Sequence, residues 1–289
     1  MAGSVSGDPP PIERVAVPVD TRAPGGTTNA YLAGGLLVDP AARTPALDAA
    51  VGIDGAGGSE PETGAVDAIA VTHAHPDHVG AVAEYADLTG APVFAHAGHV
   101  DRFASVTGVE PDETFRDGDR VGDTPVRAVE TLGHAPDHVG FAVAGGRGDG
   151  PSSREPRELL CGDLAVAEGS VVVGAPEGEI RQYLDSLERV RDADYDRLRP
   201  GHGPAVDDPE TACQRLIDHR LDREHAVVDA VEAGATDVGS VVDAAYEKDL
   251  TGVGDLALAT VVAHLEKLLA EGRIGRKWAD RIDDGALGE

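Results

Sequence analysis

The sequence predicts an α/β protein, with a layered domain over residues 12–208 and a smaller helical domain over 209–283. Three observations lead there. Short apolar runs bounded by Gly, Pro and Asp dominate the chain up to about Pro200, as buried strands do. Helical patterns sit between several of these runs. Beyond Pro209 the strand signal almost vanishes and three helical patterns follow one another.

Taken in order, Arg14–Val19, Ala30–Ala33, Leu36–Asp39, Ala68–Thr72, Pro92–His96, Val126–Thr131, Gly140–Ala144 and Glu158–Asp163 read as strands. Pro45–Val51, His78–Thr89 and Glu177–Asp192 read as helices. Gly145–Pro156, rich in Gly, Ser, Pro and Arg, reads as an exposed loop between two strands. The later helices are Glu210–Ala233, Asp237–Leu250 and Asp255–Glu271. They are followed by Gly272–Trp278, which reads as a short basic strand. Two helices and a basic β-segment outline a winged-helix-like module, against the simpler reading of a plain helical cap.

Charge is the extreme feature of the composition. The chain carries 52 Asp and Glu against 24 Lys and Arg, a formal net charge of −28, and its lysines are Lys248, Lys267 and Lys277. Such a surface repels itself at ordinary ionic strength. In molar salt the screening length falls to about 3 Å and most of the repulsion disappears. A salt-loaded, halophilic cytoplasm is therefore the expected setting. The acidity is spread along the chain, so it says little about partners. Hydrophobic residues at 41% are enough for a sizeable core. Cys161 and Cys213 form neither a metal-binding pair nor a disulfide framework. No apolar run is long enough to span a bilayer, and the first residues lack a signal-peptide pattern, so a cytoplasmic protein is expected.

The chemistry is concentrated in Thr72-His73-Ala74-His75-Pro76-Asp77-His78, between an apolar run and a helix. Three histidines and a carboxylate packed so closely are costly unless they bind something. Imidazole nitrogens and carboxylate oxygens are ligands that zinc accepts. His73 and His75, two apart at a strand end, can point to one metal; Pro76 turns the chain so that Asp77 and His78 can face a second. His134, Asp163 and His202 each follow a strand at a turn, where open α/β layers build sites. A lone His is more often a packed or surface residue, but seven ligand-type residues in this order make a strong signal. By the same standard His96, His99, His264 and Cys161 are read as structural.

These segments resemble the metallo-β-lactamase superfamily in its HxHxDH…H…D…H form, over roughly residues 12–205. Gly26-Thr27-Thr28-Asn29-Ala30-Tyr31-Leu32 is similar to that family's opening strand. The resemblance implies a four-layer αββα sandwich. It also implies one metal site from His73, His75 and His134, a second from Asp77, His78 and His202, and Asp163 as a bridge. Asp39-Pro40-Ala41 departs from the family, which more usually has Gly shortly after the Asp. With His75 the site is nitrogen-rich, which favours two zinc ions and hydrolysis, although manganese or iron could take their place. A water shared by two zincs loses a proton near neutral pH and becomes the expected nucleophile. Asp77 is expected to orient it and accept its proton. His138 is expected either to support the site or to donate to the leaving group.

The carboxyl-terminal part bears on substrate. His219–Glu224 and Ala263–Ile274 are similar to the lactamase-beta-like endoribonucleases, in which a winged-helix-like domain follows the hydrolase domain. Arg273, Arg276, Lys277 and Trp278 are the candidate contacts to single-stranded RNA, with Trp278 stacking on a base, against the alternative of a solvated wing with a packed Trp. The competing reading is a glyoxalase II-like thioesterase; a third is a non-catalytic metal-binding regulator. One echo is also visible: Pro76-Asp77-His78-Val79-Gly80 recurs as Pro136-Asp137-His138-Val139-Gly140.

Overall fold

The computed structural model describes residues 11–53, 66–143, 157–246 and 249–285; the expected loop Gly145–Pro156 lies outside them. The chain opens with β1 (Ile12–Pro18), β2 (Thr27–Ala33) and β3 (Leu36–Val38), then α1 (Pro45–Ala50) and β4 (Ala68–Ala70). Next come α2 (Pro76–Val79), α3 (Val82–Thr89), β5 (Phe94–His96), α4 (Val100–Thr107) and β6 (Glu113–Phe115). β7 (Val126–Glu130), β8 (Val139–Val143), β9 (Glu158–Gly162), α5 (Ile180–Arg191) and β10 (Arg197–Pro200) follow. The chain then runs through α6 (Pro209–Glu232), α7 (Val238–Ala245), α8 (Gly254–Ala270) and α9 (Lys277–Gly285).

Two four-stranded sheets carry the first part, in the orders β1-β2-β3-β4 and β10-β9-β8-β7. Gly34 and Gly35, at φ 55° and 86°, turn β2 directly onto β3. Successive positive φ angles are what this tight hairpin requires. Strand alternation then sorts side chains between two cores. Tyr31, Ala33, Leu36, Val38, Ala68 and Ala70 pack with Val126, Ala128, Phe141 and Leu160 of the other sheet. Their neighbours Ala30, Leu37 and Ile69 face the opposite way, against Leu47 of α1, Val82 and Tyr85 of α3 and Phe103 of α4. A helical layer and two sheets result.

Contacts divide the chain into two units. The first holds the residues up to Glu130, Asp137–Glu168 and Ala193–Pro209. The second holds Thr131–Pro136, Gly169–Asp192 and the chain from Glu210 onward. The turn after β7 and helix α5, expected with the first domain, therefore group with the carboxyl-terminal helices.

The carboxyl-terminal helices differ from expectation at one place. Among the described residues beyond Pro209 there is no strand: Gly272 turns the chain at φ 68° and α9 begins at Lys277. The basic wing does not form, and the reason lies in the spacing of its apolar residues. Trp278 and Ile282 are four apart and both buried, which is one face of a helix. Trp278 is 0% exposed, with Arg281 stacked 4.7 Å over its ring. It offers no face to a base. Arg273 is also occupied, because its guanidinium pairs with Glu224, which accepts from Lys267 as well. Of the four expected RNA contacts, Arg276 and Lys277 alone are outside such packing.

Candidate metal centre

The centre grows from the end of β4. Its buried run Ala68–Ala70 delivers His73, and Pro76 starts α2 with His75 as its cap. Pro is pre-organised for that first helical position. Asp77 and His78 thereby fall on the first turn of a helix, directly after two histidines on an extended segment. His73 Nε2 and His75 Nδ1 approach to 2.9 Å, and the rings of His73 and His78 lie 4.2 Å apart.

Asp163 and His202 enter from the second sheet, at the ends of the paired strands β9 and β10. Asp163 presents Oδ1 to His78 Nε2 at 3.7 Å and Oδ2 to His202 Nε2 at 3.4 Å. One carboxylate thus faces two histidines with different oxygens. Asp77 Oδ2 lies 3.6 Å from His202 Nε2. In the first unit, the ligand atoms of His73, His78 and Asp163 lie within 4.8 Å of one another, and separately so do those of Asp77, His78 and His202.

Surrounding groups fix which nitrogen each ring offers. His202 donates from Nδ1 to the Thr27 carbonyl at 2.9 Å, so its neutral ring keeps the lone pair on Nε2. His78 is held at Nδ1 by Asp39 Oδ2 at 2.9 Å. The same Asp39 accepts from the Thr72 amide at 2.6 Å and the Thr72 hydroxyl at 2.8 Å. A carboxylate behind a ligating histidine orients the ring and raises its basicity. Thr21 donates to Asp77 Oδ2 at 2.6 Å. Asn29 and Tyr31 of β2 both donate to the Pro200 carbonyl, at 2.9 and 2.7 Å, and hold the turn that carries His202.

The residues fit divalent cations. His78 Nε2 is completely buried and makes no hydrogen bond among the described residues, an expensive state for a polar atom that nothing binds. Burial pulls the His78 imidazolium down, but the charges of Asp39 and Asp163 outweigh it and push its pKa up to about 9. His202 is likewise lowered by burial and raised further by Asp163, with a net upward shift. The site attracts positive charge. Glycine keeps the space open: a Cβ on Gly201 would lie 2.6 Å from Asp163 Oδ1 and 2.7 Å from His78 Cε1.

Six of the seven expected ligands belong to the first unit. The seventh, His134, stands in the turn after β7, in the second. Its Nδ1 donates to the Val172 carbonyl at 2.8 Å, which leaves the lone pair of a neutral ring on Nε2. His138 is fully buried, and its Nε2 accepts from the Asp163 amide at 3.0 Å. An Nε2 that accepts from that amide carries no proton of its own to donate. Sequence reading missed Asp39, Thr21 and Asn29 as supports. Asp39 and Asn29 stood in segments compared with the family pattern, but neither was read as a support for the ligands.

The profile of the metallo-beta-lactamase superfamily matches residues 23–202. The chain belongs to that superfamily. Its relatives include beta-lactamase-like protein 2 homologues of Caenorhabditis elegans and Drosophila melanogaster. The former is 28% identical over 217 residues, covering 72% of this chain and 66% of the relative. A hydroxyacylglutathione hydrolase of Rhodospirillum rubrum is 29% identical over 157 residues, covering 54% of this chain and 51% of that one. A metallo-beta-lactamase family protein of Thermus thermophilus has a similar structure, with TM-score 0.68 and 26% identity over 91% of this chain and 95% of that one. The superfamily and its hydrolase members make this chain a metal-dependent hydrolase with a divalent metal cofactor. No helix among the described residues is long and apolar enough to cross a membrane.

Proposed function

We propose that this superfamily member is a dinuclear zinc hydrolase whose substrates are acyl thioesters. The observation that carries the two-ion reading is Asp163, one carboxylate facing His78 and His202 with separate oxygens. By the superfamily resemblance His134 would serve with His73 and His75 at the first ion, while Asp77, His78 and His202 would hold the second. Apart from Asp77 and Asp163 every ligand in the set is an imidazole, and such a nitrogen-rich set favours zinc. Bound there, the ions supply charge that polarises a substrate carbonyl and a nucleophile at neutral pH. The chain supplies the rest. Asp77, steadied by Thr21, orients the attacking water and takes its proton. Asp39 holds the imidazole of His78 in place.

Two observations support the thioester reading over RNA. An atrochrysone carboxyl ACP thioesterase of Aspergillus fumigatus is 26% identical over 75% of this chain and 59% of its own length. Together with the hydroxyacylglutathione hydrolases, it gives two kinds of relative named for acyl groups on a thiol carrier. Conversely, Trp278 and Arg273 are engaged in folding the helices, which removes the stacking platform on which the RNA reading leaned. Single-stranded RNA stays the second reading, through the resemblance that extends across the carboxyl-terminal helices.

The test is release of free thiol from acyl-glutathione and acyl-pantetheine by zinc-loaded protein in molar KCl. End-labelled single-stranded RNA is offered in parallel, with Asp77→Ala as control. Thiol release by the wild type alone is expected. Cleavage of RNA without thiol release moves the substrate to phosphodiesters, and inertness on all three with two metals bound overturns the hydrolytic reading.

A further inference from the structure

The echoed pentapeptide finds an explanation in three hydrogen bonds. The first copy, Pro76–Gly80, supplies Asp77 and His78 to the centre. The second copy, Pro136–Gly140, points its equivalent residues at the backbone that carries the ligands. Asp137 Oδ2 accepts from the Ala74 amide at 2.9 Å, midway between His73 and His75. His138 Nε2 accepts from the Asp163 amide at 3.0 Å. The Val139 amide donates to the Thr72 carbonyl at 2.8 Å. Three consecutive residues thus tie down both turns, the one before His75 and the one bearing Asp163.

We propose that Asp137 and His138 are positioning residues for the two metal-binding turns, and that Arg102 locks Asp137 in that task. The proposal rests on the metal-centre reading above and goes beyond it in naming what holds the centre in shape. Asp137 is 5% exposed, yet it is a carboxylate, and burying one needs a countercharge. Arg102 provides it through Nε to Asp137 Oδ1 at 3.1 Å. The two carboxylate oxygens therefore have separate duties, one to the ligand loop and one to the guanidinium. On the other side His138 has no exposed surface, and its ring sits 5.2 Å from that of His73. Space there is already filled: a Cβ on Gly162 would lie 2.8 Å from His138 Nε2 and 2.7 Å from Thr72 Cβ. The ring is wedged between Asp163 and the start of the motif. Groups of this kind set ligand geometry without touching the metal, and their loss typically weakens metal binding by about 10–100-fold.

Asp137→Asn is the primary test, since it preserves volume. An amide has one oxygen, so its NH2 group must face either the Ala74 amide or Arg102, and one bond is lost to opposed donors. The measurement is the rate at which a chelator strips zinc from the loaded protein, alongside the melting temperature of the metal-free protein. Zinc loss about tenfold faster, with metal-free melting unchanged, is expected. His138→Leu should likewise speed zinc loss, and His138→Gln, which restores an acceptor for the Asp163 amide, should recover most of the difference. Unchanged zinc loss in Asp137→Asn overturns the proposal. So does a fall in metal-free melting that matches the change in zinc retention, since that describes a structural residue only. Wild-type protein that holds no zinc would instead defeat the metal-centre reading, and the two failures are told apart by that baseline.

Discussion

The two units of this chain both bury histidines, and their surroundings push them in opposite directions. In the α/β unit, His78 sits among Asp39, Asp77 and Asp163, and its pKa is held at about 9 in spite of complete burial. In the helical unit, His264 is equally inaccessible, and burial, reinforced by the charges of Arg220, Lys267 and Arg223, drives its pKa down to about 3. Burial opposes charge in both. The sign of the neighbouring charges decides the outcome, and only the carboxylate-rich surroundings make a cation site. The count of histidines in a sequence says nothing about this difference; their companions do.

Removing the carboxylate from the first region should have the largest effect. Asp163→Ala deletes the group shared between His78 and His202, and a loss of several kcal/mol of charge stabilisation corresponds to about a 10³-fold drop in kcat/KM or more. Metal analysis of the same variant should show fewer than two ions per chain. In the helical region the corresponding lesion is structural. Glu224 is 4% exposed and accepts from the buried Lys267 and the more exposed Arg273, so Glu224→Ala removes the buried partner of the Lys267 ammonium. A cost of about 3–5 kcal/mol in unfolding free energy is expected, with the zinc-binding stoichiometry unaltered. Trp278→Ala should cost about the same, roughly 3–5 kcal/mol, through the cavity it leaves. If that variant instead lost RNA affinity while keeping its stability, the assignment of Trp278 to the core would be wrong.

The sharpest contrast is in pH dependence. The folded pKa of His78 lies above its unfolded value near 6.5, so in metal-free protein its contribution is full below that value and is lost as pH rises through about 9. For His264 the folded pKa lies below the unfolded one. The unfolded chain then binds the extra proton, and stability falls as pH drops from about 6.5 toward 3, with a limiting slope on the order of 1.4 kcal/mol per pH unit. Melting of the chelator-treated protein followed across pH should show both trends. His264→Leu should flatten the acid side alone, and zinc loading should flatten the alkaline side. The smallest effect belongs to the surface: Arg43 pairs with Asp48 and Glu84 at an exposed position, and Arg43→Ala should change stability by less than about 1 kcal/mol.

How much of this was legible in the sequence varied with the kind of signal. Strands with continuous or alternating apolar residues, such as β2, β3 and β9, were readable because burial alone forms them. β10, Arg197–Pro200, was missed because arginines flank its buried Leu198, and Arg199 is kept there by an ion pair with Glu158. β6 and α4 were missed for a related reason, each committing little more than one residue, Phe115 and Phe103, to the core. The candidate ligands could be named because metal ligation demands particular residue types at turns. Their supports could not, since Asp39, Asn29 and Thr21 act through contacts between segments far apart in the chain. The wing failed because Trp278 and Ile282 obey a helical spacing that a short basic stretch concealed.

The most direct test of the two-ion centre is a zinc titration of metal-free protein in molar KCl, with thiol release from acyl-glutathione and bound zinc followed together. Activity should rise until two zinc ions are bound per chain and then level off. A plateau at one ion, or full activity with none, would contradict the account built on Asp163 and its two histidines.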